Sequence, residues 1–269
     1  MAQNTYKPKP NKASSQKPKS KSWFLKPFSG KSSSKVSLKS RIFSFIWKAA
    51  AWFFGVSIAS VIIFKFVPIF FTPTMLDRKI SALIDDEDSE INYSWTPYED
   101  ISKEAALSVV AAEDQFFPEH SGFDFKAMNK AFQGNLKGKR LKGASTITQQ
   151  VAKNVFLWQG RSYIRKGLEV YFTLIIELIW GKERILEVYL NVAETGKMTF
   201  GFEEGARKYF GHSAATLSRT EAAKMAAVLP NPIRFSVTNS SNYIQRRANF
   251  IARQMRALGG KTYLQQIAP

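Results

Sequence analysis

The sequence predicts an all-α fold, a helical domain preceded by one transmembrane helix. Three observations predict it. Ile42 to Phe64 is an apolar run of 23 residues whose one charge is Lys48. From Ser102 onward, apolar residues recur at helical spacing, with cap residues before them and Gly or Pro after them. Strand signals are weak throughout, and no internal repeat is evident.

The elements follow in order. Residues 1–41 hold eleven Lys or Arg and no Asp or Glu, among many Ser and Pro; the first acid in the chain is Asp77. With little to bury, this stretch reads as a disordered basic arm. A transmembrane helix over 42–66 comes next. At 1.5 Å per residue the apolar run spans about 35 Å, enough to cross a bilayer. Lys48 and Lys65 lie toward its two ends, where long side chains can snorkel. The run and the arm are both too long for a cleaved secretory signal. The basic arm and the acidic run "DDEDSE" at 85–90 predict a cytoplasmic N-terminus and a domain outside the cytoplasm. Residues 67–92 read as a linker and 93–269 as the domain.

Within that domain the pattern predicts helices over Ser102–Ala112 and Phe125–Leu136. Ser145 or Thr146 caps another that runs to about Leu157. Ser162–Trp180 follows, with 168–180 apolar enough to be buried nearly all round. Gly181 breaks it. "KERILEVYLN" resumes with Ile185, Leu186, Tyr189 and Leu190 on one face. Two more helices centre on 204–209 and 220–229, closed by Pro230 and Pro232.

Composition narrows the function. The net charge is +18, which suits nucleic acid, anionic membrane or an anionic substrate. The predicted topology and the lack of an aromatic–basic platform argue against nucleic acid, and anionic lipid accounts for the arm. There is no cysteine and there are only two histidines, so neither a disulfide framework nor a Cys-based or His-rich metal site is available.

Three stretches could carry chemistry. Glu113 and Asp114 end a helix, where the negative end of the dipole disfavours carboxylates. Such local conflicts concentrate at functional sites. Pressed against Phe116 and Phe117, a carboxylate would be desolvated and become a better general base; the alternative is a solvated helix end. In "GASTITQQVAKN", 143–154, Thr146 and Gln149 fit a capping box, which leaves Ser145, Thr148, Gln150 and Lys153 unexplained. Thr146, Gln149, Gln150 and Lys153 share a helical face suited to sugar hydroxyls and amides, with Lys153 and the helix N-terminus open to phosphate. The GxxxxG at 138–143 is followed by Ala144 where a P-loop needs lysine, which excludes that reading. In "RSYIRKGLE", Arg161, Arg165 and Lys166 approach Glu169. A buried Glu169 needs a cation, and Arg165 stands one turn before it. The ten Lys or Arg and no acid between 125 and 168 could otherwise be a solvated face.

Taken together, ED-xx-F-xx-H-x-G-x-D (113–124), G-x-STITQQ-xx-KN (143–154), RK-xx-E (165–169), "KERILEVYLN", "GFEEGARKYFG" and "EAAKMAAVLPNP" resemble the peptidoglycan glycosyltransferase domain of bacterial cell-wall synthases. The resemblance covers about 93–237. No SxxK, SxN and KTG set of the transpeptidase partner domain follows, so the likeness is to the monofunctional branch. It implies a lysozyme-like fold of two lobes, the smaller partly in the membrane. It implies lipid II as acceptor, the growing lipid-linked glycan as donor, and inversion at the donor carbon. Glu113 would be the general base, with Glu169 a second catalytic carboxylate. Asp114, Phe117, His120, Thr146, Gln149, Gln150, Lys153, Asn154 and Arg165 would bind substrate. No cofactor is required outright, and a divalent cation such as Mg2+ at the pyrophosphate is left open. The bacterial inner membrane would be its place, with other cell-wall synthases or division proteins as further partners. The rival classes are a lysozyme-like hydrolase, which needs a carboxyl pair set for water or a covalent step, and a non-catalytic scaffold, which has no use for the polar face of 146–153.

Overall fold

The computed structural model describes residues 1, 5, 38–136, 145–160 and 162–267. Most of the expected disordered arm, the GxxxxG stretch and Arg161 lie outside the described residues. The chain divides into two compact units, 1–48 and 49–269. In the first, the chain is helical from Leu38 and exposed. That helix, α1 (Leu38–Phe66), is long and apolar enough to cross a membrane.

The second unit is built of helices: α2 (Pro73–Ile84), α3 (Lys103–Glu113), α4 (Phe125–Leu136), α5 (Ile147–Phe156), α6 (Tyr163–Ile179), α7 (Lys182–Val192), α8 (Gly201–Phe210), α9 (Arg219–Val228) and α10 (Asn242–Ala257). The caps fall where the sequence puts them. Ser102, Thr146, Ser162 and Ser218 each accept a backbone N–H in the first turn of their helix. Gly181 sits at the start of α7.

The core is centred on α3. Ala105, Ala106, Leu107, Val109, Val110 and Ala111 are all buried, and α3 packs against α9 and α10. Alanines on both sides, including Ala222, Ala223, Ala226 and Ala227 of α9, let the helix backbones approach closely. The consequence is functional: the C-terminus of α3, with Glu113, is fixed by packing along almost its whole length.

Two expectations change and one helix is new. The stretch 67–92 holds an ordered helix, α2, whose Thr74 donates to the Asn154 carbonyl of α5 at 3.2 Å. Helix α10 gave no expectation. Yet Ile244, Ala248, Ile251 and Met255 are buried at spacings of three and four, and Ser241 caps it. Helix α6 is not buried all round. Glu169, Phe172, Thr173 and Ile176 face inward, while Val170, Leu174 and Leu178 are exposed. It is apolar on two faces, of which the protein covers one.

Residues 53–67 of α1 and just after it touch Tyr171 of α6, then Trp180 and Arg184 beyond it. Ser57 Oγ and Tyr171 Oη are 2.7 Å apart, Phe53 and Phe54 flank the Tyr171 ring, and the Trp180 indole N–H donates to the Val61 carbonyl at 2.7 Å. Arg184 donates to the carbonyls of Phe64 and Val67.

The few strands form one small sheet, β1 (Asn92–Tyr93), β2 (Glu194–Gly196) and β3 (Thr199–Phe200), in the order β1-β3-β2. Two glycines lie on either side of β3. A Cβ on Gly196 would meet the Tyr209 hydroxyl at 1.8 Å, and Gly201, at φ +83, packs on the Asn191 carbonyl.

Candidate active site

Glu113 is the last residue of α3. Its Oε2 accepts from Gln150 Nε2 at 3.1 Å, and its Oε1 accepts from Arg247 at 3.2 Å. Burial raises its pKa above the ordinary carboxylate value. Gln150 and Arg247 pull it back, and the neighbouring Asp114 pushes it further up. The Tyr189 hydroxyl donates to Gln150 Oε1 at 3.1 Å. Burial, with Glu113 and Asp114 nearby, lifts that phenol well above its usual range, so it stays a donor. It fixes the amide so that Gln150 presents N–H to the carboxylate. The desolvation expected from Phe116 and Phe117 has another source: Phe116 is exposed and Phe117 lies in the core.

Asp114 takes a different part from its neighbour. Its Oδ1 pairs with His120 Nε2 at 2.8 Å, and its Oδ2 accepts from the Ile147 N–H at 3.0 Å. The second contact meets the positive end of α5, where a carboxylate is favoured. Both oxygens are used, so Asp114 ties the end of α3 to the start of α5. Phe117 is buried, with the Lys182 ammonium 4.6 Å from its ring centre.

Thr146 and Gln149 complete the capping box. Gln149 N–H donates to Thr146 Oγ1 at 3.2 Å, and Thr146 N–H donates to Gln149 Oε1 at 3.0 Å. Thr146 Oγ1 also donates to the Gly122 carbonyl at 2.7 Å. Both side chains are buried. The polar face of α5 therefore divides: Thr146 and Gln149 hold the helix, Gln150 holds Glu113, and Lys153, one turn on, is left for other work.

Lys153 faces the second half of the site. Burial lowers its pKa; Glu169 opposes that, while Arg165, Arg78 and Lys166 add to it. Among the described residues its ammonium has no hydrogen-bond or ion-pair partner. On α6, Arg165 donates to Glu169 Oε2 at 3.0 Å, and Lys166 pairs with Glu169 Oε1. Glu169 is buried and doubly paired, as its spacing to Arg165 requires. Asn154 is half-buried, and its carbonyl accepts from Thr74. Four buried polar atoms among the described residues take no hydrogen bond: His120 Nδ1, Arg165 Nε, Glu194 Oε1 and Arg247 Nε. All four belong to ion pairs: His120 with Asp114, Arg165 with Glu169, Glu194 with Arg78, and Arg247 with Glu113.

Two contributors escape sequence reading. Arg247 reaches Glu113 across 134 positions, and Arg78 pairs with Glu194 across 116. No local pattern encodes such pairings, although the spacing of α10 could have placed Arg247 beside a buried face.

The transglycosylase family model matches residues 78–256. The chain belongs to the transglycosylase family. The biosynthetic peptidoglycan transglycosylase of Pseudomonas entomophila (strain L48) is 51% identical over 220 residues, 82% of this chain and 93% of its own length. That of Chromohalobacter salexigens is 48% identical over 223 residues, 83% of this chain and 95% of its own. That of Pseudomonas putida (strain F1) is 50% identical over 220 residues, covering 82% and 93%. The transglycosylase match starts inside α2 and ends inside α10. It thus takes in Arg78 and Arg247, beyond the motif-bearing stretch at 93–237.

Proposed function

We propose that this transglycosylase polymerises lipid II into β-1,4 glycan strands. The observation that supports the reading best is the arrangement along α5: Gln150 holds a desolvated carboxylate, Glu113, and one turn further on Lys153 offers an ammonium with no partner among the described residues. The first suits removal of a hydroxyl proton, the second a phosphorylated leaving group.

In this reading the 4-hydroxyl oxygen of incoming lipid II attacks C1 of the lipid-linked glycan. Its proton passes to Glu113. The C1–O bond to the diphosphate breaks, and the electron pair leaves with undecaprenyl pyrophosphate. Attack opposite the leaving group turns the α-linkage into a β-linkage. Lys153 and Arg165 stabilise the charge that develops on the phosphate, and Glu169 holds Arg165 in place. Asp114, His120, Thr146 and Gln149 position the two helix ends; Gln150 sets the base. Mg2+ could accompany the diphosphate, held by phosphate oxygens: among the described residues no three His, Asp or Glu side chains converge to hold a metal. A hydrolase is less well supported, because cations and not a second free carboxylate face the base end of α5.

The apolar α1 supports a membrane anchor, and the flanking charges support an extracytoplasmic domain in the bacterial inner membrane. The test is direct: purified protein given labelled lipid II should yield polymer and release the lipid diphosphate, and Glu113→Gln should not. Polymer from Glu113→Gln at near the parent rate would sink the reading.

A further inference from the structure

Arg78 and Glu194 lie in none of the motifs above, and the proposed chemistry makes no use of them. Arg78 Nε donates to Glu194 Oε2 at 2.9 Å. The Glu194 side chain is 7% exposed. Its burial pushes its pKa up, and Arg78 is the main influence pulling it back. A carboxylate so placed costs stability unless it is paired, and its Oε1 takes no hydrogen bond. Glu194 is the first residue of β2 and pairs in register with Phe200 of β3.

Arg78 is placed from the other side by α2. Thr74 donates to the Asn154 carbonyl and accepts from Gln159 Nε2 at 2.6 Å. Arg78 follows Thr74 by four residues and so shares its face, toward the turn of α5 that carries Lys153. The pairing with Glu194 uses one guanidinium N–H. Among the described residues the two terminal nitrogens have no partner, and the side chain is 31% exposed.

We infer that Arg78 is a further phosphate-binding residue of the Lys153–Arg165 site, and that Glu194 is the positioning residue that aims its guanidinium there. The physiological ligand, a lipid diphosphate, rests on the polymerase reading; the anion site does not. Arg78, Lys153, Arg165 and Lys166 stand against Glu169 and Glu194, an excess of two positive charges that matches a diphosphate diester. Lys153 offers a point charge, whereas Arg78 offers a planar fork that can take two phosphate oxygens. The charge of Arg78 is felt at the Lys153 amine, as two cations sharing one anion require.

The experiment uses full-length protein in detergent and inorganic pyrophosphate as the probe. Arg78→Gln should weaken pyrophosphate binding, measured by calorimetry, by about tenfold or more. It should raise the KM for lipid II in step, with kcat changed much less. Arg78→Lys should recover part of the affinity. Glu194→Gln is the sharper arm. It removes a negative charge, so charge alone predicts tighter pyrophosphate binding. Loss of aim predicts weaker binding, by several-fold, and that is the expected result. Equal affinity in the parent and Arg78→Gln would overturn the role of Arg78, and tighter binding by Glu194→Gln would overturn that of Glu194. Should Arg78→Gln fail to fold, Arg78→Lys decides, since it keeps the charge and loses the fork. A parent protein that bound pyrophosphate in this pattern yet never polymerised lipid II would overturn the polymerase reading and leave the anion site standing.

Discussion

Glu113 and Gln150 meet at 3.1 Å across the junction of α3 and α5. The amide donates to the carboxylate and is itself held by Tyr189. The Glu113 carboxylate therefore takes one neutral donor, Gln150, and among the described residues one cation, Arg247. That arrangement leaves the carboxylate basic enough to take a proton.

Glu113→Gln keeps size and hydrogen bonding but cannot accept the proton. The rate of lipid II polymerisation should fall about 10²–10⁴-fold, with binding of lipid II retained. Circular dichroism and a binding assay on the same preparation check that the loss is chemical. An inactive variant that also fails to bind would move Glu113 from catalysis to substrate recognition.

The pH dependence has a definite sign. In the proposed reaction Glu113 acts ionised, and burial raises its pKa. The acid limb of the activity profile should therefore lie above the ordinary carboxylate range. Arg247 opposes that rise, so Arg247→Gln should move the limb to higher pH. A limb that stays put or moves down would contradict the pairing. Stability runs the other way. A carboxylate raised on folding favours the folded state at low pH, and that contribution is lost as pH climbs through the folded pKa. The melting temperature of Glu113→Gln relative to the parent should rise over the same interval.

Thr146→Ala should act as a stability change. Its hydroxyl caps α5 and donates to Gly122. The cost should be about 1–2 kcal/mol, read by denaturant unfolding, with the KM for lipid II nearly unchanged. A large rise in KM at unchanged stability would return Thr146 to the substrate subsites.

This last case shows what the sequence could and could not tell. The capping box was legible because both partners lie within four residues. So was Arg165–Glu169, at one helical turn. The polar face of α5 looked uniform in sequence, yet Thr146 and Gln149 turn inward to the helix end while Gln150 and Lys153 reach outward. The packing of α6 and α7 against α5 separates them. The fold was legible for helices with strong caps and apolar periods. Helix α2 was lost because an acidic run follows it, and α10 because its four arginines masked a regular buried face. Phe156 stacks on Phe172 at 4.6 Å, while Phe132 and Trp158 are exposed.

Gly196→Ala should destabilise the β2–β3 turn, since the new methyl would meet the Tyr209 hydroxyl. Tyr209→Phe removes that oxygen and should restore part of the loss in the double variant. Thermal melts of both single variants and the double variant give the coupling. Purely additive losses would show that the contact is not what excludes a side chain there.

Removal of the chain before Thr72 takes away the Val61, Phe64 and Val67 carbonyls. Trp180 and Arg184 then lose their acceptors, at about 1–3 kcal/mol for each buried donor left unpaired. The shortened protein should melt lower than one starting at Ala49. It should still bind anionic vesicles through Phe132, Trp158 and nearby cations, more weakly at high salt. Equal melting of the two forms would make α1 a mere tether.

The docking of α1 on α6 also fixes an altitude. Going outward, Ser57 meets Tyr171, Val61 meets Trp180, and Phe64 meets Arg184. The two helices therefore rise in the same direction, and Glu169 and Arg165 precede Tyr171 on the way up. In the proposed reaction a lipid diphosphate lies at the headgroup plane, so Lys153 and Arg165 would mark where that plane meets α1. Helix α1 has 29 residues, about nine more than a hydrocarbon core needs. Four of these, 38–41, precede the apolar run and carry Lys39 and Arg41, so the surplus at the outer end is the last five, 62–66, which would stand above the lipid as part of the enzyme's wall. Catalysis would then happen at a constant height, and the substrate would arrive by sliding sideways in the bilayer without ever being lifted from it.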